Sequence, residues 1–311
     1  MWVDDKRSWL RTVLYGGASL PRIWGRVLVI TGLSVVTTVL YQEIDALHIS
    51  LTATPFTLIG LPLGIFLGFR NTSAYDRFWE GRKLWGALVN NTRSLTRQVL
   101  TLFAPQVPDE AAEVLAFQRK YVHTTVAFVH GLRAFLRDQP VVPHRDNTLE
   151  TDVFVRVAGE PNPPYGMLQH LGEMLREARE RNWIHPFHVP MIESSLGALT
   201  DIQGACERIK GTPIPFSYTV LLHRIVAVYC LLLPFGLVDT IHWATPVVVL
   251  FVSYAFFGLD AVGDEIEQPF GLDTNDLPLT TLSRNIEVTL RQRLGETNVP
   301  KPTRPRRGVL H

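Results

Sequence analysis

The chain has 311 residues and a net charge of +1, and charged residues make up 19% of it, below the roughly 25% of ordinary soluble domains. Its mean hydropathy lies just above zero, too high for a typical soluble enzyme and too low for a protein lying wholly in lipid. The chain therefore reads as part membrane and part water-facing, and the lack of a basic excess argues against a nucleic-acid partner.

Residues 1–21 read as an N-terminal cytosolic amphipathic segment. They lack a compact apolar core followed by a small-residue cleavage site, so no cleaved signal peptide is expected. A lipid-crossing helix needs about 20 largely apolar residues, because each rises about 1.5 Å through a core about 30 Å thick. Ile23–Tyr41 satisfies this with Arg26 as its one charge. Pro55–Phe69 is shorter and carries Pro62 in its middle. A break at Pro62 would free backbone groups that lipid cannot satisfy, so this segment belongs in a protein interior or beside water.

About 150 residues follow, from 70 to 219, far too many for a loop. Helices are expected over Asn71–Phe103, Asp109–Asp138, Tyr165–Arg181 and Val189–Lys210, where apolar residues recur at helical spacing. Pro140, Pro143, Pro161, Pro163 and Pro164 make 139–164 an irregular excursion. The Asp152–Val157 patch is the lone strand-like alternation. Val220–Val238 and His242–Val262 then read as third and fourth membrane crossings, with His223 and Arg224 near the start of one and Asp260 near the end of the other. A final helix is expected near Leu279–Leu294, before a basic, Pro-rich tail from Asn298 that reads as extended or disordered.

These elements set out five regions: the N-terminal segment 1–21, membrane helices in 22–69, a helical cytosolic domain in 70–219, two more membrane helices in 220–263, and a cytosolic helix and tail in 264–311. Charge orients them. Lys6, Arg7, Arg11, Arg22 and Arg26 precede or open the first crossing, and Arg70, Arg77, Arg82 and Lys83 follow the second. The segments 42–54 and 239–241 hold no Lys or Arg. Basic flanks stay in the cytoplasm, which places both termini there.

Within the second crossing, Gly60, Gly64 and Gly68 make a small-residue stripe of the kind that lets membrane helices approach closely. Leu61, Ile65 and Phe69 recur with the same period on the adjacent stripe. In a symmetric ring of these helices, those three side chains would stack as apolar rings that gate by dewetting. The same spacing also suits a stripe that faces lipid or a neighbouring helix, and periodicity does not separate the two.

Other chemistry finds little support. No GxSxG, Walker A or GxGxxG pattern occurs. His185 and His188 are separated by Pro186 and have no adjoining carboxylate pair for a metal. Cys206 and Cys230 form neither a metal spacing nor a disulfide framework. The chain is not expected to be an enzyme or to carry a cofactor. A secondary transporter would show internal repeats and ionisable groups deep in its spans, whereas Arg26, Arg224 and Asp260 lie near the cytosolic ends.

The block LIGLPLGIFLGFRNTSAYDRFWEGRKLWG at 58–86 resembles the bestrophin family, in particular its bacterial branch. Shared features are the early Pro, the Leu-Gly-Phe at 67–69 and the Arg-Phe-Trp at 77–79. Two further blocks follow in the family's order, Gly211-Thr-Pro-Ile-Pro-Phe-Ser-Tyr218 and Asp264-Glu-Ile-Glu-Gln-Pro-Phe-Gly271. The resemblance implies an all-α membrane protein with four crossings per subunit and a homopentamer around one pore. It also implies an apolar neck at Leu61, Ile65 and Phe69 and a second constriction at Ile214. It suggests a passive channel for small monovalent ions, chloride-like anions first. A cation-passing pore stays open because Leu61 and Ile65 are aliphatic. Animal members bind calcium in an acidic run after the Pro-Phe-Gly block. Here Asp273 and Asp276 are a possible remnant of it, thinner in charge, and a helix-capping or solvent role suits them as well.

Overall fold

The structure, a computed structural model, describes residues 20–43, 50–141, 151–305 and 310. Most of the expected N-terminal amphipathic segment and part of the tail lie outside them. Among the described residues the regular elements are helices: α1 (Leu20–Glu43), α2 (Thr54–Leu102), α3 (Ala111–Leu136), α4 (Thr151–Ala158), α5 (Pro163–Glu180), α6 (Val189–Gly211), α7 (Phe216–Ile241), α8 (Thr245–Ile266) and α9 (Leu279–Arg293). Arg22–Glu43 and the run Phe216–Ile266, which holds α7 and α8, are long and apolar enough to cross a membrane. The described residues form two compact units, one of those up to Trp79 with Pro213–Pro269, and one of those in Glu80–Thr212 with those from Phe270 on.

Three expectations need correcting. The second crossing and the helix after it are one 49-residue helix, α2, which runs through Pro62 without ending. Proline withdraws one backbone bond from a helix, and long apolar turns on both sides carry α2 past that single loss. The strand-like patch at 152–157 is helical. Val153 and Val157 are buried while Val155 is 66% exposed. A strand would put all three on one face, and only the helical period separates the middle one. The helix of the expected fourth crossing starts at Thr245, because His242–Ala244 forms a tight 3-10 turn. His242 takes φ 48° there, and its carbonyl accepts the Thr245 hydroxyl at 2.6 Å.

The core of the first unit joins Ile23, Val27 and Ile30 of α1, Phe56, Leu63 and Leu67 of α2, Leu222, Val226 and Leu233 of α7, and Val249 and Phe257 of α8. Two small hydroxyls buried in these helices return to their own backbone, Thr38 to Ser34 at 2.8 Å and Ser253 to Val249 at 2.6 Å. Each therefore buries a polar atom with a partner.

In the second unit, α3 packs against α5, α6 and α9. Phe103, just past α2, meets Tyr121 edge-on at 5.9 Å, and Phe117 meets Trp183 at 5.3 Å. Gln118 donates to the carbonyls of Val99 and Phe103 at 3.2 and 3.0 Å, supplying donors that the end of α2 lacks. Buried charges fasten α9. Fully buried Glu287 accepts from His130 at 3.0 Å and from Arg291 at 3.1 Å. Arg291 also reaches Glu296 at 2.7 Å, which pairs with His123 at 2.5 Å. Gly295, at φ 73° just past the helix end, lets the chain turn back so that Glu296 can make these bonds. Burial pushes the Arg137 guanidinium down to about 10, helped by Arg133 and opposed by Asp276. Cys206 is buried, and its thiol is pushed up to about 12, so it is a packing residue rather than a nucleophile.

Candidate pore-lining helix

The first half of α2 has two contrasting faces. Phe56, Leu63, Leu67, Arg70 and Ala74 are buried. On the opposite side Leu61 is 72%, Ile65 52% and Phe69 64% exposed. Spacings of three, four and seven residues keep each set on its own face. The three sequence-predicted neck residues thus share one stripe of the isolated chain, turned away from its core.

The glycine stripe divides. A Cβ on Gly60 would meet the Tyr229 hydroxyl at 2.7 Å, so this glycine permits the close approach of α7 to α2. Gly64 and Gly68 would meet nothing within 4 Å. They border the exposed stripe and leave its flank smooth. Gly60→Ala should therefore destabilise the fold by about 1–3 kcal/mol through overpacking. Tyr229→Phe in the same chain should restore part of that, because it removes the atom in closest conflict. Thermal unfolding in detergent of both variants checks this; equal stability of Gly60→Ala and wild type would refute the packing.

What fixes the face of α2 is a charge cluster that sequence reasoning read only as a basic flank. Arg70, the residue after Phe69, is 1% exposed. It donates to the Asp260 carboxylate at 3.0 Å and the Asp260 carbonyl at 3.2 Å, bonds Asp264, and lies 3.7 Å from Glu267. Its neighbour Asn71 donates to the Leu259 carbonyl at 3.1 Å. Gly263 makes this approach possible, since a Cβ there would meet Asn71 at 2.4 Å. A basic residue buried one step after an apolar run was the available signal, but its carboxylate partners lie some 190 residues away in sequence.

His223 adds its ring to the same cluster, 3.4 Å from Asp260 and 3.5 Å from Asp264. Among the described residues these three alone bring His, Cys, Asp or Glu donor atoms into a metal-sized group. Arg70 already engages both of its carboxylates, so the arrangement serves as a structural lock.

Ile214 is half-buried in the turn between α6 and α7, between Pro213 and Pro215. Its backbone N–H donates to the Glu267 carboxylate at 3.0 Å. The flanking prolines fix φ on both sides, so one hydrogen bond suffices to hold the turn against the cluster. Arg77 reaches the same residue through its Nε, donating to the Glu267 carbonyl at 3.0 Å. Asp273 and Asp276 belong to the other unit. There the Asp276 carboxylate accepts the Asp273 N–H at 2.7 Å, and the Asp276 N–H returns to the Asp273 carbonyl at 3.1 Å, closing a tight turn. His185 spends a ring nitrogen on the Phe187 N–H at 3.3 Å, so it and His188 form a capping turn.

A chain whose described elements are helices, several of them long and apolar, belongs as a class with integral membrane proteins. The profile described as bacterial/fungal bestrophin protein matches residues 1–292, and the chain belongs to that family. It is 39% identical, over the full length of both chains, to the voltage-dependent anion channel-forming protein RSc3414 of Ralstonia nicotianae. It is 36% identical to YneE of Escherichia coli K12, a protein of the same description, covering 99% of this chain and 98% of that one. A crystal structure of a bacterial bestrophin homologue from Klebsiella pneumoniae matches 88% of this chain and 99% of its own, with a TM-score of 0.81 and 34% identity.

Proposed function

We propose that the chain is one subunit of a homopentameric channel of the inner membrane that passes small monovalent ions, chloride-like anions first. The observation that carries this is the apolar stripe of Leu61, Ile65 and Phe69, exposed on the side of α2 opposite its core. An exposed apolar stripe on a locked helix calls for lipid, a partner surface or a symmetry axis, and the channel-forming descriptions of the relatives favour the axis. Around a fivefold axis it becomes three stacked apolar rings, a constriction that opens and closes by wetting. Gly64 and Gly68 leave open space beside it for a neighbouring copy. Four crossings would then be α1, the first turns of α2, α7 and α8, with both termini cytoplasmic.

Ile214, braced by two prolines and Glu267, is assigned as the cytosolic aperture. Asp273 and Asp276 are assigned to their turn; two carboxylates are a thin remnant for calcium, which prefers six to eight oxygen ligands. The descriptions of the Ralstonia and Escherichia relatives support anion passage, and the electropositive edge of Phe69 suits it. A cation-passing pore of the same fold is the second reading, favoured by Asp76, an exposed carboxylate about two helical turns beyond Phe69 on the same side of α2.

Single-channel recording of the purified protein in a planar bilayer under asymmetric potassium chloride tests this. Discrete current steps are expected, and the sign of the reversal potential separates anion from cation passage. Persistent silence from protein shown to be inserted and folded would overturn the channel assignment.

A further inference from the structure

Three charged residues lie in α2 between Thr54 and Trp79: Arg70, Asp76 and Arg77. The two cations turn away from the exposed stripe and are occupied. Arg70 is buried among Asp260, Asp264 and Glu267, and Arg77 is spent on the Glu267 backbone. Asp76 does the opposite. It is exposed, and among the described residues its carboxylate takes part in no hydrogen bond or ion pair.

Its position on the helix is the informative part. At 3.6 residues per turn, Asp76 follows Phe69 by about two turns and Ile65 by about three, on the same side as both. That puts it about 10 Å beyond Phe69 along the helix, on the cytosolic side of the neck. Thr72, also exposed, is the stripe residue between them. The stripe therefore runs from apolar Leu61, Ile65 and Phe69 through a hydroxyl to one unpaired carboxylate.

We propose that Asp76 is a selectivity-determining residue of the pore, a ring of carboxylates at the inner end of the neck that concentrates cations and holds back anions. The proposal rests on the assignment of the Leu61/Ile65/Phe69 stripe to the pore. Rings of Asp or Glu favour cations in narrow pores, and a cleft lined by one sign of charge between low-dielectric walls concentrates counter-ions. An unpaired charge on a surface facing a neighbouring helix would instead carry a desolvation cost with no partner to offset it. A water-filled axis is the setting in which Asp76 stays hydrated and still acts on passing ions.

The test compares Asp76→Asn with wild type by reversal potential in planar bilayers under asymmetric potassium chloride. Asparagine keeps the size and removes the charge. The potassium-to-chloride permeability ratio should fall by about threefold or more at low salt, whichever ion dominates in the wild type. The difference should shrink near 1 M salt, where the screening length is about 3 Å. Asp76→Cys gives a second readout. Its thiolate attacks an anionic or cationic methanethiosulfonate, forming a mixed disulfide and releasing the sulfinate. The anionic adduct should bring the potassium-to-chloride ratio back toward the wild-type value and the cationic one should lower it further. Cys206 and Cys230 are buried, and an Asp76-intact chain treated alike reports any contribution from them.

An unchanged ratio in Asp76→Asn, in a protein whose conductance does respond to Ile65→Ala, would overturn the role of Asp76 and leave the pore intact. If neither substitution alters conduction through an otherwise active channel, the stripe does not line the pore, and the role of Asp76 falls with it.

Discussion

Arg70→Met should lower the stability of the first unit by about 3–5 kcal/mol, the usual cost of removing one partner from a buried charge cluster. The side chain is fully buried against Asp260, itself 2% exposed, with Asp264 and Glu267 alongside. Methionine matches much of the arginine's apolar stem, so packing is largely kept and the loss comes from carboxylates stranded without their cation. His223 is too exposed, and its nearest approach of 3.4 Å too long, to replace a guanidinium that makes several bonds at once. Melting midpoints of purified protein in detergent, compared at one heating rate because such unfolding is commonly irreversible, report the effect. Arg70→Met combined with Asp260→Leu should be less destabilised than the two single effects added, since the pair would leave together. An unchanged midpoint for Arg70→Met would show that the cluster is not a lock. Since Arg70 follows Phe69 directly, the same lock determines which face of α2 turns outward.

Much of this architecture is legible from short-range patterns, and the misses share one cause. The helices of the second unit announce themselves by apolar residues at helical spacing, and the observed bounds of α5, α6 and α9 fall within a residue or two of those expected. Continuity through Pro62 was hidden, because a proline marks a lost hydrogen bond but not whether the flanking turns survive it. The 152–157 patch misled for a related reason: Val153 and Val157 share a face in a strand and in a helix alike, and only the exposure of Val155 separates them. The stripe of Leu61, Ile65 and Phe69 was readable as a stripe, but its outward direction was not. That direction depends on Arg70 meeting Asp260 and Asp264, and on Gly60 meeting Tyr229, contacts between residues far apart in the chain. Asp76 was passed over because a single acidic residue on a polar helix looks ordinary until its basic neighbours are seen to be occupied.

Ile65→Ala should alter conduction strongly while leaving the fold nearly untouched, and Leu67→Ala should do the reverse. Both are aliphatic residues on the same turn of the same helix, but Ile65 is 52% exposed and Leu67 is completely buried. Truncating Leu67 removes buried methyl groups and leaves a cavity, which costs about 2–5 kcal/mol. Truncating Ile65 in the isolated chain removes mostly exposed surface, and such changes usually stay within about 0.5 kcal/mol. In a pentamer, however, the loss at Ile65 is repeated five times around one axis. It widens the middle of three apolar rings and lowers the barrier to wetting, so unitary conductance should rise several-fold and discrimination between ions should relax. Single-channel recording paired with thermal unfolding of both variants separates the two effects. Unchanged conductance and selectivity in Ile65→Ala would mean that the apolar stripe faces lipid or a neighbouring helix and that the ion path lies elsewhere. A large loss of stability in that variant would mean that Ile65 is a packing residue between subunits. Only the crossed pattern, conduction changed at Ile65 and stability changed at Leu67, fits a helix with one face in the core and the other in the pore.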